Sequence, residues 1–396
     1  MRDLKSQVTQ AIDDLGPEIL DVARQIHGRP ELAFEERFAS NLLCEVLERH
    51  GLRPTRGAFD LETSFRCDFG ADEGPVVAIL SEYDALPEMG HACGHNLIAA
   101  MGLGAALGLA RVGDFGGRVR YLGTPAEEDG AGKAIMAARG AFAGVDAAMM
   151  VHPAAVDLEE MPTLAVTAVK ATFRGRGAHA ASAPHAGVNA LDACVAAYQA
   201  IAQLRQHITP NERVHGIITY GGAAANIVPE RAEASYFIRA RDAAGLQALV
   251  PRVRACLEAG ALGAGASVEL DWLEHPYLDL KNNHPLCLAY RANAEALGRT
   301  FFEMGDVPVG VRGSTDMGNV SHLIPAIHPT IGIDSHGASP HTACFAQCAA
   351  SEMGDTGTLD AAKAMAMTAI DFFRDADLRA AVARDFGGDF AGVRRM

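Results

Sequence analysis

The sequence lacks an apolar run of the roughly 20 residues that a membrane-spanning helix needs. Its opening segment also lacks the apolar stretch and the small-residue cleavage site of a secretory signal. Positive charge is scarce, because 49 Asp and Glu residues outnumber 34 Lys and Arg residues and leave a formal net charge of -15. Since nucleic acids and anionic membranes bind clustered positive charge, neither is an expected partner, and we expect a cytoplasmic protein.

A disulfide framework is absent as well, because the eight cysteines have neither the density nor the spacing of one. We interpret most of them as small buried hydrophobic residues. Internal repeats and low-complexity tracts are also missing. What the chain does have is 49% hydrophobic residues over 396 positions, which is enough for a large core divided between two domains.

Alternating strand and helix patterns predict an α/β fold with a mostly parallel sheet. Four short apolar runs are the strand candidates of this sheet, at 75–80, 119–123, 147–151 and 326–333. Between the last two, the patterns follow the order β-α-β-β-α-β of ferredoxin-like domains. We therefore predict a catalytic domain of residues 1-163 and 277-396, into which a smaller lid domain of residues 164-276 is inserted.

Side chains that bind metals or move protons follow these strand candidates. Asp84 follows the first, Glu127 and Glu128 follow the second, and His152 follows the third. Because ligands of open α/β sheets bind outside the carboxyl ends of the strands, we expect the four side chains to converge on one crevice. Adjacent carboxylates repel each other unless a cation lies nearby, although a helix N-terminus would also favour them.

The segment HACGHN adds Cys93 and His95, which stand two residues apart. Thiolate and imidazole ligands favour zinc, manganese, cobalt or nickel over calcium or magnesium. Taken alone, the pair is equally typical of a buried thiol beside a hydrogen-bonded imidazole. His341 in SPHTACF is a further candidate ligand, and His336 is its rival. Together with the groups that follow the strands, these side chains would bind two cations if one of them is shared.

The motifs of the chain together resemble those of the M20 metallopeptidase family, in its amidohydrolase branch and close to the aminoacylase-1-like group. The segments are SEYDALPEMGHACGHN, GTPAEEDGAGK, RGRGAHAASAPHAGVNA, AANIVP and HTACF, in this order over nearly the whole chain. The resemblance implies a catalytic α/β domain with an inserted lid, two divalent metal ions per subunit, and a homodimer formed through the lid. It implies hydrolysis of the amide bond of a small N-acyl amino acid, such as an indoleacetyl-amino acid or an aminobenzoyl-glutamate, by a metal-activated water.

The resemblance also implies roles for individual residues of the catalytic domain. The implied metal ligands are Cys93, His95, Glu128, His152 and His341. Glu127 would be the general base, and Asp84 a carboxylate that supports the ligands. Many members of the branch read CGHD, whereas this chain has Asn96 after His95, a departure that could weaken metal retention or shift the metal preference.

Three residues of the lid receive roles from the same resemblance. His179 would stabilise the oxyanion, in some family members from a partner subunit. Asn226 and Arg239 would hold the carboxylate of the substrate, although Arg239 is equally typical of a solvated strand residue.

Two alternatives stay open. One is a dipeptidase or aminopeptidase of the same fold, and the other is a relative that binds a metal or ligand without turnover. A free α-amine on the substrate would call for an acidic group in the lid, but the lid is rich in basic residues, Lys170, Arg174, Arg176, Arg239 and Arg241. This composition favours a substrate with a free carboxylate and a blocked amine. The non-catalytic alternative is disfavoured because the implied base and all five implied ligands are present.

Overall fold

The structure, a computed structural model, describes residues 2–302, 313–335 and 337–387. The chain divides into two compact units. The large unit comprises residues 1–162 and 280–396, and the small unit comprises residues 163–279. His336, the rival of His341 as a candidate ligand, lies outside the described residues.

Helices and strands alternate along most of the described chain. The helices are α1 (Arg2–Gly28), α2 (Arg37–Arg49), α3 (His95–Val112), α4 (Gly132–Ala138), α5 (Ala190–Leu204), α6 (Ala243–Gly263), α7 (His284–Glu295), α8 (Met317–Ser321), α9 (Ala343–Cys348), α10 (Glu352–Arg374) and α11 (Ala376–Phe386). The strands are β1 (Thr55–Arg56), β2 (Phe65–Gly70), β3 (Val76–Ser81), β4 (Arg118–Gly123), β5 (Ala147–Met149), β6 (His152–Ala154), β7 (Ala165–Arg174), β8 (Arg213–Tyr220), β9 (Arg231–Ala240), β10 (Ser267–Trp272), β11 (Ala326–Ile327) and β12 (Thr330–Gly332).

The central sheet of the large unit has the strand order β1-β2-β4-β3-β5-β11. The pairs β4–β3, β3–β5 and β5–β11 are parallel, whereas β1–β2 and β2–β4 are antiparallel. The predicted α/β fold with a mostly parallel sheet is confirmed. Strand β2 was not predicted, although its sequence FRCDFG alternates apolar and polar residues as a half-buried strand does. Its polar residues Arg66 and Asp68 pair with each other on one face of the strand.

Helix α3 packs against the central sheet and α1, and small residues allow the close approach. A Cβ atom on Gly102 would lie 2.2 Å from Ser81 Oγ, and one on Gly108 would lie 2.5 Å from the Ile12 side chain. By length and composition α3 could cross a membrane, but 83% of it is buried inside the protein. Its apolar surface is therefore used in packing the core of the large unit.

The strand predicted at 326–333 is divided in two. Strand β11 joins the central sheet, and β12 pairs with β6 in a separate two-stranded parallel sheet. Pro329 lies between them and has no N–H to donate, but its carbonyl accepts a hydrogen bond from the His152 N–H at 2.9 Å. The division places His328 beside His152, with ring centroids 5.6 Å apart.

The small unit contains an antiparallel sheet of order β10-β7-β9-β8, and α5 and α6 pack on it. Along the chain the elements follow β-α-β-β-α-β, so the predicted ferredoxin-like order is confirmed. Strand β8 lies at the edge of this sheet, and most of its residues are exposed. The side chain of Ile217 on this strand is an apolar example, with 65% exposure.

Candidate metal centre

The loops at the carboxyl ends of three central strands converge, as the crevice rule for α/β sheets predicts. Asp84 follows β3, Glu127 and Glu128 follow β4, and His152 comes three residues after β5. Cys93 enters from the turn before α3. That turn contains Gly94 at φ +79°, where a Cβ atom would lie 2.6 Å from the Pro153 ring. A glycine is needed there because the two loops approach so closely.

The five residues implied as metal ligands lie together and form two overlapping groups. Ligand atoms of Cys93, His95 and His152 lie within 4.8 Å of one another, and so do those of Cys93, Glu128 and His341. The Cys93 Sγ atom is 3.4 Å from His152 Nε2, and His341 Nε2 is 3.4 Å from Glu128 Oε1. Because Cys93 belongs to both groups, its sulfur would be a ligand in either of two cation positions.

Several buried polar atoms at this centre have no hydrogen-bond partner among the described residues. They include His95 Nε2 and Glu128 Oε1. Leaving such an atom buried and unpartnered costs about 1–3 kcal/mol, so a group that binds these atoms would stabilise the arrangement. A divalent cation would do so, and the mixture of sulfur, nitrogen and carboxylate ligands fits zinc, manganese, cobalt or nickel.

Hydrogen bonds orient the imidazoles and the Glu128 backbone. Asp84 Oδ1 lies 3.0 Å from His95 Nδ1, while Asp84 Oδ2 accepts a hydrogen bond from the Glu128 N–H at 2.8 Å. His152 Nδ1 is 2.7 Å from the Pro153 carbonyl oxygen and donates to it. In both histidines Nδ1 carries the proton in this arrangement, so Nε2 keeps its lone pair for a metal ion.

Glu127 is carried by a strained turn. Ala126 before it has a left-handed φ of +59°, and its N–H donates to Glu36 Oε1 at 2.8 Å. Glu127 is buried, with its Oε2 atom 3.9 Å from His95 Nε2. Burial raises the pKa of Glu127 well above its ordinary value, and the negative charges of Glu82 and Glu128 raise it further. Such a carboxylate takes up a proton readily, which suits a general base once nearby cations offset the charge.

Two neighbours of this centre escaped the sequence analysis. Glu82 directly follows β3, and its Oε1 atom lies 3.3 Å from His95 Nε2. Glu36 holds the turn before Glu127 and also accepts a hydrogen bond from Thr63 Oγ1 at 2.8 Å. For Glu82 a signal exists in the sequence, because SEYDALP places two carboxylates, Glu82 and Asp84, directly after a buried strand. Glu36 lies 90 residues before its partner and has no such signal.

Comparison with known proteins assigns the family. Residues 164–264 match the peptidase dimerisation domain. The solved structure of a dinuclear metal binding peptidase of the M20 family from Bacillus subtilis has the same fold, with a TM-score of 0.69 and 23% identity, and the match covers 90% of this chain and 98% of that one. The Xaa-Arg dipeptidase of Mus musculus is 40% identical over 97% of this chain and 92% of its own length. This chain belongs to the M20 metallopeptidase family.

A second relative of this M20 chain matches a shorter stretch. It is one of the subunits of the p-aminobenzoyl-glutamate hydrolase of Escherichia coli (strain K12), and it is 36% identical over 68% of this chain and 60% of its own length. Both named relatives are hydrolases of amide bonds, and the chain is an enzyme of that class.

Asn96, the departure from the CGHD pattern, packs helices together in this M20 chain. Its side chain is buried, and the amide nitrogen donates to the carbonyl oxygens of Ala23 at 3.3 Å and Ala349 at 2.9 Å. These carbonyls belong to α1 and to the end of α9. The amide therefore ties α3 to two other helices.

The three lid residues with implied roles lie at two separate positions within the small unit. His179 forms an antiparallel bridge with Ile227, and the Ala180 N–H donates to the Asn226 carbonyl at 3.0 Å, so His179 and Asn226 are on adjacent loops. Both side chains are exposed. The loop that carries Asn226 leads into β9 at Arg231. Arg239 lies near the opposite end of β9, eight residues or ~26 Å along the strand. Within one subunit, Arg239 is not brought to His179.

Most basic lid residues are neutralised inside the small unit. Arg174 pairs with Glu269 at 2.7 Å, Arg241 pairs with Asp242 at 3.0 Å, and Lys170 lies 3.9 Å from Glu233. Arg176 donates to the carbonyl oxygen of Ala186 at 2.6 Å. Three of the five basic lid residues therefore have carboxylate partners within the small unit, which weakens the argument from their number for a substrate carboxylate.

Proposed function

We propose that this M20 chain is a dinuclear-metal amidohydrolase that cleaves the amide bond of a small amino-acid conjugate. The observation that carries the proposal is the cluster of Cys93, His95, Glu128, His152 and His341, with the buried carboxylate of Glu127 beside it. When bound, two divalent cations lower the pKa of water and polarise the substrate carbonyl.

The side chains of the protein carry out the remaining steps. Glu127 accepts a proton from the attacking water and returns it to the leaving amine, which its raised pKa favours. Asp84 keeps His95 in the tautomer that leaves Nε2 free. In the small unit, the Ala181 and Ser182 N–H groups donate to His179 Nδ1 at 3.2 Å, so His179 Nε2 bears a proton and can donate it to a substrate oxyanion. The carboxylate-binding roles of Asn226 and Arg239 stay predictions.

The proposed substrate is an N-acyl amino acid of the aminobenzoyl-glutamate kind. The Escherichia coli relative supports this class, because its name describes hydrolysis of such a conjugate. A dipeptide with a C-terminal arginine is the second candidate. The mouse relative favours it, because a protein named Xaa-Arg dipeptidase is 40% identical over 97% of this chain.

We further propose that the chain forms a homodimer through its small unit. The match of residues 164–264 to a peptidase dimerisation domain supports this, and so does the exposed apolar edge around Ile217. Neighbouring Val195 on α5 and Ile218 on β8 extend the apolar surface, with exposures of 42% and 38%. An edge strand with these side chains is a site at which a second sheet can pair.

Replacing Glu127 tests the catalytic proposal. Glu127→Gln keeps the size of the side chain but removes the base, so kcat should fall by about 10²–10⁴ while the bound metal stays at two ions per chain. Metal content is measured by mass spectrometry, and turnover is measured on aminobenzoyl-glutamate, other N-acyl amino acids and Xaa-Arg dipeptides. Preference within this panel decides between the two substrate classes.

The matched control is Asp129→Asn, which changes an exposed carboxylate of the same turn and should keep wild-type turnover. Protein that binds no metal and gains no activity with zinc, manganese, cobalt or nickel would rule out the proposed function.

A further inference from the structure

The deepest acidic residue at the centre is Glu82, which the proposed mechanism leaves without a role. It directly follows β3, and its side chain is fully buried. Its Oε1 atom has no hydrogen-bond partner among the described residues. A buried carboxylate oxygen in this condition points to a binding partner that is not a protein group.

The other oxygen of Glu82 is held firmly by a buried ion-pair triad. Lys133 Nζ donates to Glu82 Oε2 and to Asp316 Oδ1, the latter at 2.7 Å. The Lys133 backbone N–H also donates to Asp316 Oδ2 at 2.8 Å. All three side chains are fully buried, so two carboxylates share one ammonium group and a net negative charge remains.

The free oxygen of Glu82 faces a ligand atom of the metal centre. Glu82 Oε1 lies 3.3 Å from His95 Nε2. Both atoms lack a hydrogen-bond partner among the described residues, so this contact is not a hydrogen bond. Two ligands of one tetrahedral zinc ion, each about 2.0–2.1 Å from it, are also about 3.3 Å apart. The separation therefore suits two ligands of a common cation.

We propose that Glu82 Oε1 is a further protein ligand of the cation that His95 Nε2 binds. This rests on the proposed function, because it assumes that metal ions occupy the centre. Ligand atoms of Glu82, His95 and Glu127 lie within 4.8 Å of one another, and His95 also belongs to the group of Cys93 and His152. The second position has Cys93, Glu128 and His341. Glu82 would therefore give the cation at His95 a protein ligand that the second position lacks.

The two cation positions also differ in the exposure of their ligands. Glu82 and His95 are fully buried, whereas the His341 side chain is 51% exposed. A cation enclosed by buried protein ligands has no position open to water, whereas a site that reaches the surface keeps a position open for water or substrate. The ion at His95 should accordingly be retained, and the ion at His341 should exchange first.

The experiment measures metal content during dialysis against a chelator, together with the absorption spectrum of the cobalt-substituted protein. In the wild type, one ion should leave early and the second should persist. In Glu82→Gln, the second ion should dissociate at least about tenfold faster, and the cobalt spectrum should change because one ligand is altered. Circular dichroism confirms that the variant is folded.

Asp316→Asn is the matched control, since it alters the same triad but no atom that faces His95. It should retain the second ion as the wild type does. Unchanged retention and spectrum in Glu82→Gln would overturn the proposal. Equal loss in Asp316→Asn and Glu82→Gln would also overturn it, because the triad would then act only as a structural support. A wild type that binds no metal at all would instead show that the proposed function is wrong.

Discussion

At the residue scale, the acidic side chains around the centre differ in what surrounds them. Burial raises the pKa of Glu82, but the charges of Lys133 and of the nearby histidines together outweigh it, and the pKa is lowered to about 2. At Glu127 the leading influences are burial and neighbouring negative charges, and both raise its pKa. One carboxylate therefore stays ionised to hold charge, and the other is able to take up a proton.

Glu36 should make the stability of the protein depend on pH. Burial, together with the negative charge of Asp84, raises the pKa of Glu36 from 4.5 to about 7. The folded protein holds this proton more tightly than the unfolded chain. Its stabilising contribution is therefore present below pH 4.5 and is lost as the pH rises to about 7, a change of about 3 kcal/mol.

Glu36→Gln tests this, because glutamine can still accept a hydrogen bond from the Ala126 N–H. Between pH 4.5 and 7, the free energy of unfolding should fall less steeply in the variant, measured by urea unfolding of metal-free protein. Glu35→Gln, an exposed neighbour, should follow the wild type. Parallel pH profiles for the wild type and Glu36→Gln would contradict the prediction.

At the element scale, α3 connects the core of the large unit to the metal centre. Its first residue is His95, and its glycines allow the helix to lie close to β3 and α1. Any change that pushes α3 outward would move His95 as well. The core packing of this helix thus determines where a metal ligand lies.

Gly102→Ala should destabilise the protein even though alanine favours helix formation by about 1 kcal/mol. The added Cβ would lie 2.2 Å from Ser81 Oγ and 2.9 Å from the Leu80 carbonyl oxygen, and the backbone atom cannot move aside. We expect a net loss of about 1–3 kcal/mol in urea unfolding. Gly28→Ala, where no atom lies within 4 Å, should be neutral or slightly stabilising. A Gly102→Ala variant as stable as the wild type would show that the sheet yields easily.

At the scale of the whole molecule, the proposed homodimer depends on the small unit. Ile217→Lys places a charge on the exposed apolar edge strand and should convert the proposed dimer to a monomer in sedimentation velocity experiments. Leu262→Lys is the control, because it alters an apolar side chain with 82% exposure on α6 of the same unit. A wild type that is monomeric and fully active would exclude both the dimer and a role for His179 across subunits.

Short-range patterns in the sequence determined much of the fold and part of the centre. The alternation of apolar runs and helical patterns predicted strands β3, β4 and β5, and their carboxyl ends predicted where Asp84, Glu127 and His152 meet. The β-α-β-β-α-β order of the small unit was equally visible, because each element has its own local periodicity. These predictions depend only on neighbours in sequence or on a rule of sheet topology.

Only the tertiary structure decided which distant side chains meet. Lys133 contacts Glu82 across 51 residues and Asp316 across 183, and no periodicity or spacing links them. Pro329 divided a single apolar run between two sheets. Lys170, Arg174 and Arg241 of the small unit pair with carboxylates on other strands or in an adjacent position. Charge pairing and metal ligation act through space, so the environment of each charged group follows from the packed fold.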